Sequence, residues 1–548
     1  MPMVQNQDHG VGALNLIVPA IRVPDLGLFQ RYLPSKWQMK LYGGVAELQA
    51  DMKLSETDFK ADIHLISDKA DVGIKEYRFE TDLDLGVSAS APELSSGTID
   101  ISGTYIRLGD FTIASKLVAE SAEIQTSLTI ETGHLELKLP ELAEEKIELN
   151  DVPRVLGDYE LETLLSFADA ELEINGSMSD LSWISVLFKN SHNMAIGGSG
   201  TLSIKALLNS GWLAEGSLIE ILPDGLDLKI LDYHVQGDGN IRLIVTKGGE
   251  GPDLDLDMDI TNASLKRSGE QQAFIEDVVI KLDAIGKGMS YDGPGEDLEL
   301  HLQLPSAKVT DMAVFNQYFP EDSPLQLITG KADLTAMIDL RPSSAAGFVK
   351  LETRELQARI DNQEVAAGLS VDIKLADGVP KDLEFDISGS SILIDKVKVV
   401  GEESSFNDSD WHIRFDLNKG RTVWKKPVRI QAQADIEMKD TRPIVAMVSN
   451  HRQKNGWLEK MLTIEDLKGE ATFELANEQI IIPYAFIDSE KLDVGAKAII
   501  NKQTRSGVIY ARYGKLKGVL KIDQGKRNFD IIRAREKFDE YLTPPISK

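Results

Sequence analysis

Along most of the chain, apolar and polar residues take turns. Leu254, Leu256, Met258 and Ile260 alternate with Asp253, Asp255, Asp257 and Asp259. Leu298, Leu300, Leu302 and Leu304 alternate with Asp297, Glu299, His301 and Gln303, and Ala46, Leu48, Ala50, Met52 and Leu54 with Glu47, Gln49, Asp51 and Lys53. On an extended strand successive side chains point to opposite faces, so each run has one apolar and one wet face. Gly, Asn, Asp, Ser and Pro interrupt the runs roughly every 8 to 15 residues, the rhythm of sequential antiparallel strands. Helical periodicity is short and confined to residues 25–33, 179–189, 441–462 and about 528–542. The pattern predicts a mainly β protein with a few short helices.

The alternation repeats on a longer scale. A shift of 286 lays residues 14–109 on 300–395 without a gap. Leu14, Leu16, Pro19, Val23, Asp25, Phe29, Tyr32 and Pro34 meet Leu300, Leu302, Pro305, Val309, Asp311, Phe315, Tyr318 and Pro320. Further along, Asp100 to Gly103 meets Asp386 to Gly389 with the same four residue types. This is a duplication. A smaller unit lies within it: a short helix, then a glycine that opens an alternating strand. The glycine-led runs are Gly44, Ala46, Leu48, Ala50; Gly200, Leu202, Ile204, Ala206; Gly330, Ala332, Leu334, Ala336; and Gly469, Ala471, Phe473, Leu475. Asp25, Asp180, Asp311 and Thr441 stand where each preceding helix needs an N-terminal cap. The alignment runs back almost to residue 1, so counterparts of roughly 250–296 are expected upstream, in a longer protein carrying any signal or anchor.

Composition narrows the chemistry. The 548 residues include no cysteine, which excludes disulfides, thiolate zinc sites, iron–sulfur clusters and a cysteine nucleophile. The eight histidines are scattered, with no His-x-His or His-Glu-x-x-His among them. A formal charge of −29 and a pI near 4.7 argue against a nucleic-acid binder, which needs clustered Lys and Arg. No run reaches the ~18 apolar residues of a membrane-spanning helix, and residues 1–10 do not form a secretory signal.

Individual motifs read mostly as structure. The Asp253, Asp255, Asp257, Asp259 series places its carboxylates ~7 Å apart along one strand face, too far to share a calcium ion; it reads as a solvated face that discourages edge aggregation. His134 and Glu136 share a face but have no third partner nearby in sequence. Gly197 to Gly200 precedes a strand and lacks the Gly-Lys-Ser/Thr of a phosphate loop. No Gly-x-Ser-x-Gly elbow and no defined acidic pair appears. Charge is uneven: residues 497–537 carry twelve Lys/Arg and three acids, a basic end on an acidic body.

The glycine-led runs, the Asp-initiated helices before them, and a carboxy-terminal block from Ser506 to Gly514 and Ala534 to Phe538 resemble the AsmA-like family of repeating β-groove proteins, in particular its YdbH-type branch. The resemblance covers most of the chain, through degenerate motifs. It implies an elongated, curled antiparallel sheet in the Gram-negative envelope, anchored in the inner membrane by an amino-terminal helix. It also implies an apolar interior that carries phospholipid across the periplasm, without cofactor or enzymatic activity.

Physical reasoning reaches a compatible expectation: a curled single sheet leaves an apolar trough where a sandwich would close. The expected lining is Ala46, Leu48, Ala50, Leu202, Ile204, Leu254, Leu256, Met258, Leu300, Leu302, Leu334, Ala336 and Ile338. The competing reading packs these residues in a closed core, as in a non-transporting envelope scaffold. A carbohydrate-active β enzyme is a weaker third, with only six tryptophans for sugar stacking. The expected organisation is a first repeat copy over 1–296, a second over 297–524 and a basic helical tail over 525–548. Within the tail, Lys526, Arg527, Arg533, Arg535 and Lys537 are expected to dock on an anionic membrane or an outer-membrane or envelope protein, against the bland alternative of a helix that caps the last sheet edge.

Overall fold

The computed structural model describes residues 14–33, 39–55, 57–74, 77–111, 124–138, 166–181, 194–230, 233–267, 273–288, 299–319, 325–341, 343–360, 363–379, 382–400, 405–423, 428–443, 464–476, 479–490, 492–501, 505–524 and 526–543. Strands dominate them: 31 are found, in one antiparallel sheet, with a few short helices. The mainly β, antiparallel fold expected from the alternation is what forms. Two compact units divide the chain, one of Met1–Ile260 with Asp283–Leu298 and one of Thr261–Leu282 with Glu299–Lys548.

The first unit begins with Leu14–Val23, which pairs with Ala46–Leu54; that strand pairs with Phe59–Ile74, and Phe59–Ile74 with Tyr77–Ala91. The second unit repeats the order: Glu299–Val309 pairs with Ala332–Leu340, then Ala345–Ile360, then Gln363–Val379. The irregularities repeat too. A bulge between Val18 and Ile21 returns between Leu304 and Ala307, and one between Ser67 and Ala70 returns between Thr353 and Leu356. Strand order and register are therefore those of one unit built twice.

The short helix that plugs each copy is also duplicated. Leu26–Tyr32 and Met312–Tyr318 are 3-10 helices, tighter than the α-helical spacing suggests. Asp25 accepts from the Gly27 N–H at 2.8 Å and Asp311 from the Ala313 N–H at 3.0 Å, so both predicted caps form. Gln30 then clamps the neighbouring strand, donating to the Met39 carbonyl and accepting from the Leu41 N–H; Asn316 does the same to Leu327. Leu26 and Met312 are buried beneath them. Each helix leads to a glycine with positive φ, Gly44 at 118° and Gly330 at 154°. A Cβ on Gly44 would stand 2.5 Å from the Lys69 carbonyl oxygen, so the glycine opening the strand is required by close approach. The helices expected after Asp180 and Thr441 lie outside the described residues, apart from Leu181, Arg442 and Pro443.

The carboxy-terminal expectation needs a correction. Residues 528–542 do not form one helix. Lys526–Asp530 is a strand paired with Leu516–Asp523, from Asp523 opposite Lys526 to Val519 opposite Asp530. The helix is limited to Ala534–Asp539. Gln524, with φ 47°, turns the chain back into a hairpin, and Arg533, with φ 53°, interrupts any helix running from the strand. Pairing with a formed strand outcompetes the weak helical periodicity.

Candidate functional site

Strand register assembles the alternating residues into continuous apolar rows. In the first unit, neighbours across successive strands run Ile21, Leu48, Leu65, Leu85, Ile106, Leu128, Gly176, Leu202, Ile221 and Ile241. A second row runs Ile130, Ile174, Ile204, Ile219 and Leu243. In the second unit the matching row is Ala307, Leu334, Leu351, Val371, Ile392, Phe415, Ile436, Gly469, Ile487, Val494, Ala511 and Gly518. Another runs Leu417, Ala434, Ala471, Ala485, Ala496, Ile509, Leu520 and Phe529. The glycines fall where backbones crowd: a Cβ on Gly176 would meet the Ser127 carbonyl at 2.2 Å, and one on Gly469 the Phe486 carbonyl at 2.3 Å.

In the first unit the opposite face is polar. Gln49, His64, Gly86, Tyr105, Thr129, Asn175, Ser203, Glu220 and Arg242 form its row in the first unit. The sheet is thus amphipathic across its strands as well as along them.

Burial along the apolar rows is graded. Leu48, Leu65, Leu85, Ile106 and Leu128 are half-buried, whereas Leu202, Ile221 and Ile241 are buried. In the second unit Leu334, Leu351, Val371, Ile392, Phe415, Ile487 and Val494 are half-buried. A two-layer core would bury such inward residues almost completely. Here a long stretch of each row keeps a wetted or fillable side.

The expected lining residues follow the same gradient. Leu48 and Leu202 lie on one row, Ala50 and Ile204 on adjacent ones. Leu302, Leu334, Ala336 and Ile338 gather on the paired strands Glu299–Val309 and Ala332–Leu340, all half-buried. Leu254 is half-buried. Ala46, Leu202, Leu256, Met258 and Leu300 are buried outright and pack the sealed parts instead. Sequence reasoning missed Leu65, Leu85, Ile106 and Leu128 and their second-unit counterparts. The 286-residue shift could have flagged Leu65 with Leu351 and Ile106 with Ile392, since both members of each pair are apolar.

The basic end is rearranged relative to expectation. Phe538 is fully buried against Tyr510, whose ring centroid lies 5.8 Å away, beside Val508, Val519 and Ala534. Tyr510 and Val519 belong to the face opposite Ile509, Ala511 and Gly518, so the Ala534–Asp539 helix covers the reverse of the apolar rows. Three of the five expected docking cations are engaged within the tail: Arg533 with Glu536, Lys537 with Asp530, and Arg535 with Asp539 at 3.1 Å. Arg535 also lies over the Phe486 ring at 4.8 Å. Lys526 remains exposed. Arg527 stands on the last strand opposite Ile522. Lys497 donates to the Asp539 and Tyr541 carbonyls, and burial pulls its ammonium below the usual lysine value.

Polar clusters elsewhere are structural or open to solvent. On the polar face His64 Nε2 lies 2.7 Å from Asp84 Oδ1, with Tyr105 and Arg107 on the same carboxylate. His134 is exposed opposite Asp100, in an open cleft of about 650 Å³, and Asp100 is engaged by Ser102. No group of three metal-ligating side chains occurs among the described residues, and no described helix is long and apolar enough to cross a membrane. Comparison of the chain with protein-family models and with curated proteins gives no match.

Proposed function

We propose that the half-buried apolar rows shelter the acyl chains of phospholipid, and that the protein is a non-enzymatic lipid carrier or bridge between the inner and outer membranes of a Gram-negative envelope. One observation carries this reading: rows of Leu, Ile, Val and Phe continue through successive strands on one face, yet stay only half-buried along much of their course. An acyl chain laid on such a row gains about 0.8 kcal/mol per methylene removed from water, and its lack of hydrogen-bonding groups matches a surface that offers none. The resemblance to AsmA-like repeating β-groove proteins supports the same activity, periplasmic placement and an inner-membrane anchor upstream.

Fully buried row positions such as Leu202, Ile221 and Ile241 favour a second reading in part, a scaffold with a closed core. Extraction of the purified protein in organic solvent, followed by mass spectrometry, separates the two. Phospholipid present at a fixed ratio to protein supports the carrier; a lipid-free protein that also fails to take up labelled phospholipid favours the scaffold.

A further inference from the structure

The last hairpin exposes large apolar side chains that the rest of the sheet does not need. Leu516 and Phe529 are each 71% exposed, Ile531 66% and Ile532 69%. Register brings them to one end. The ladder stops where Val519 pairs with Asp530, so Ile531 and Ile532 leave the last strand at the end of the sheet where Leu516 begins the partner strand. The Phe529 ring lies over Gly518, where an added Cβ would come within 2.8 Å of it. The segment is held in place by the Ile532 N–H bonded to Asp530 Oδ1 at 2.8 Å and by buried Phe538 just beyond it. These apolar groups are therefore presented from a fixed turn.

Their charged neighbours differ from the tail cations described above. Lys515 and Lys517 flank Leu516, are exposed, and have no ion-pair partner among the described residues. Arg533, Lys537 and Arg512 are neutralised by Glu536, Asp530 and Asp493.

We propose that Lys515, Leu516, Lys517, Ile531 and Ile532, with Phe529 beside them, form a docking surface for a bilayer containing anionic phospholipid. Aliphatic and aromatic side chains standing out beside exposed lysines match an interface where ammonium groups meet lipid phosphates and apolar groups enter the acyl boundary. Protein interfaces, by contrast, are depleted in lysine. Residues 497–537 are net basic in a chain whose formal charge is −29, so charge favours approach to an anionic surface by this end. The row that ends at Leu520 and Phe529 reaches the same edge. This surface would bind a bilayer whether or not the rows carry lipid.

The test is co-sedimentation of the whole chain with vesicles of phosphatidylcholine alone and of phosphatidylcholine with phosphatidylglycerol. Binding is expected only to the anionic vesicles, falling as salt is raised. Lys515→Gln with Lys517→Gln, and separately Leu516→Ser with Ile531→Ser and Ile532→Ser, should each weaken it by about tenfold or more. Their melting curves should match the parent, since every altered side chain is exposed. Equal binding to neutral vesicles, no binding to either, or unchanged binding by both variants overturns the proposal. So does a variant-sensitive complex with an acidic protein in place of vesicles. Because it measures surface binding, the result is independent of whether lipid is extracted from the purified protein.

Discussion

Replacing Leu48 and Leu334 together by aspartate distinguishes a fillable apolar face from a sealed core. The two residues are equivalent, 286 apart, and each sits mid-row, Leu48 between Ile21 and Leu65, Leu334 between Ala307 and Leu351. Full burial of a leucine is worth about 1.5–3 kcal/mol, and since Leu48 and Leu334 are mostly covered, each substitution forfeits the greater part of that. Aspartate's poor fit to strands adds up to about 1 kcal/mol. The new carboxylate keeps contact with water, so the far larger penalty of an unpaired buried charge is avoided. The expected loss is about 2–3 kcal/mol per site, nearly additive because the sites belong to separate units. Ile260, with 0% exposure, is the control: Ile260→Asp should cost roughly 3–5 kcal/mol or unfold its unit. Circular dichroism melts read stability, and mass spectrometry of extracted lipid reads loading. The double variant should remain β-structured and lose its lipid. Unfolding as severe as that of Ile260→Asp, or undiminished lipid, would refute the reasoning.

Asp25→Ala and Asp311→Ala should each cost about 1 kcal/mol in urea unfolding, because each removes the side-chain bond that starts its 3-10 helix. Phe538→Ala should cost about 3–5 kcal/mol locally and raise hydrogen exchange across 505–523 while leaving Leu14–Val23 and its neighbours protected. Ser102 and Ser388, donating to Asp100 and Asp386, hold both carboxyls below the usual carboxylate value, so this stabilisation is present above about pH 4 and lost as pH falls through the lowered values. The double variant Ser102→Ala, Ser388→Ala should therefore show a smaller drop in melting temperature between about pH 6 and pH 3 than the parent.

The strands, the caps and the duplicated block were legible because they depend on local chemistry. Alternation fixes which face a side chain takes, and Asp25 and Asp311 act on backbone two residues away. Burial was less legible. Leu202 and Leu48 look alike in sequence and share a row, yet only Leu202 is sealed, because coverage depends on what lies over the sheet. The tail was misread for a similar reason: the spacing of Phe529 and Ile532 suits a helix, but a preformed strand at Leu516–Asp523 offers backbone partners that no local count includes. Ion pairing was equally hidden, so Arg533 and Lys537 counted as free cations until their acids were located.

The bulges explain why strict alternation fails where the apolar face does not. Along Leu14–Val23 the residues facing the row partners are Leu14, Leu16 and Val18, then Ile21 and Val23. Without the slip at Pro19 and Ala20, Arg22 would fall on the apolar face; in the second copy Lys308 would do so. The same holds at the next bulge. Ser67 is followed on that face by Ala70 and Val72, and an unbroken strand would place Lys69 and Asp71 there; in the second copy it would place Glu355 and Gln357. An inserted residue that leaves backbone groups unpaired is a local disadvantage. Its recurrence at the same offset in both copies has a physical rationale, because each slip moves a charged or polar side chain off the row and an aliphatic one onto it. What the two copies share most closely is thus the set of irregularities that keep one face apolar across the strands, the property an acyl chain would sense.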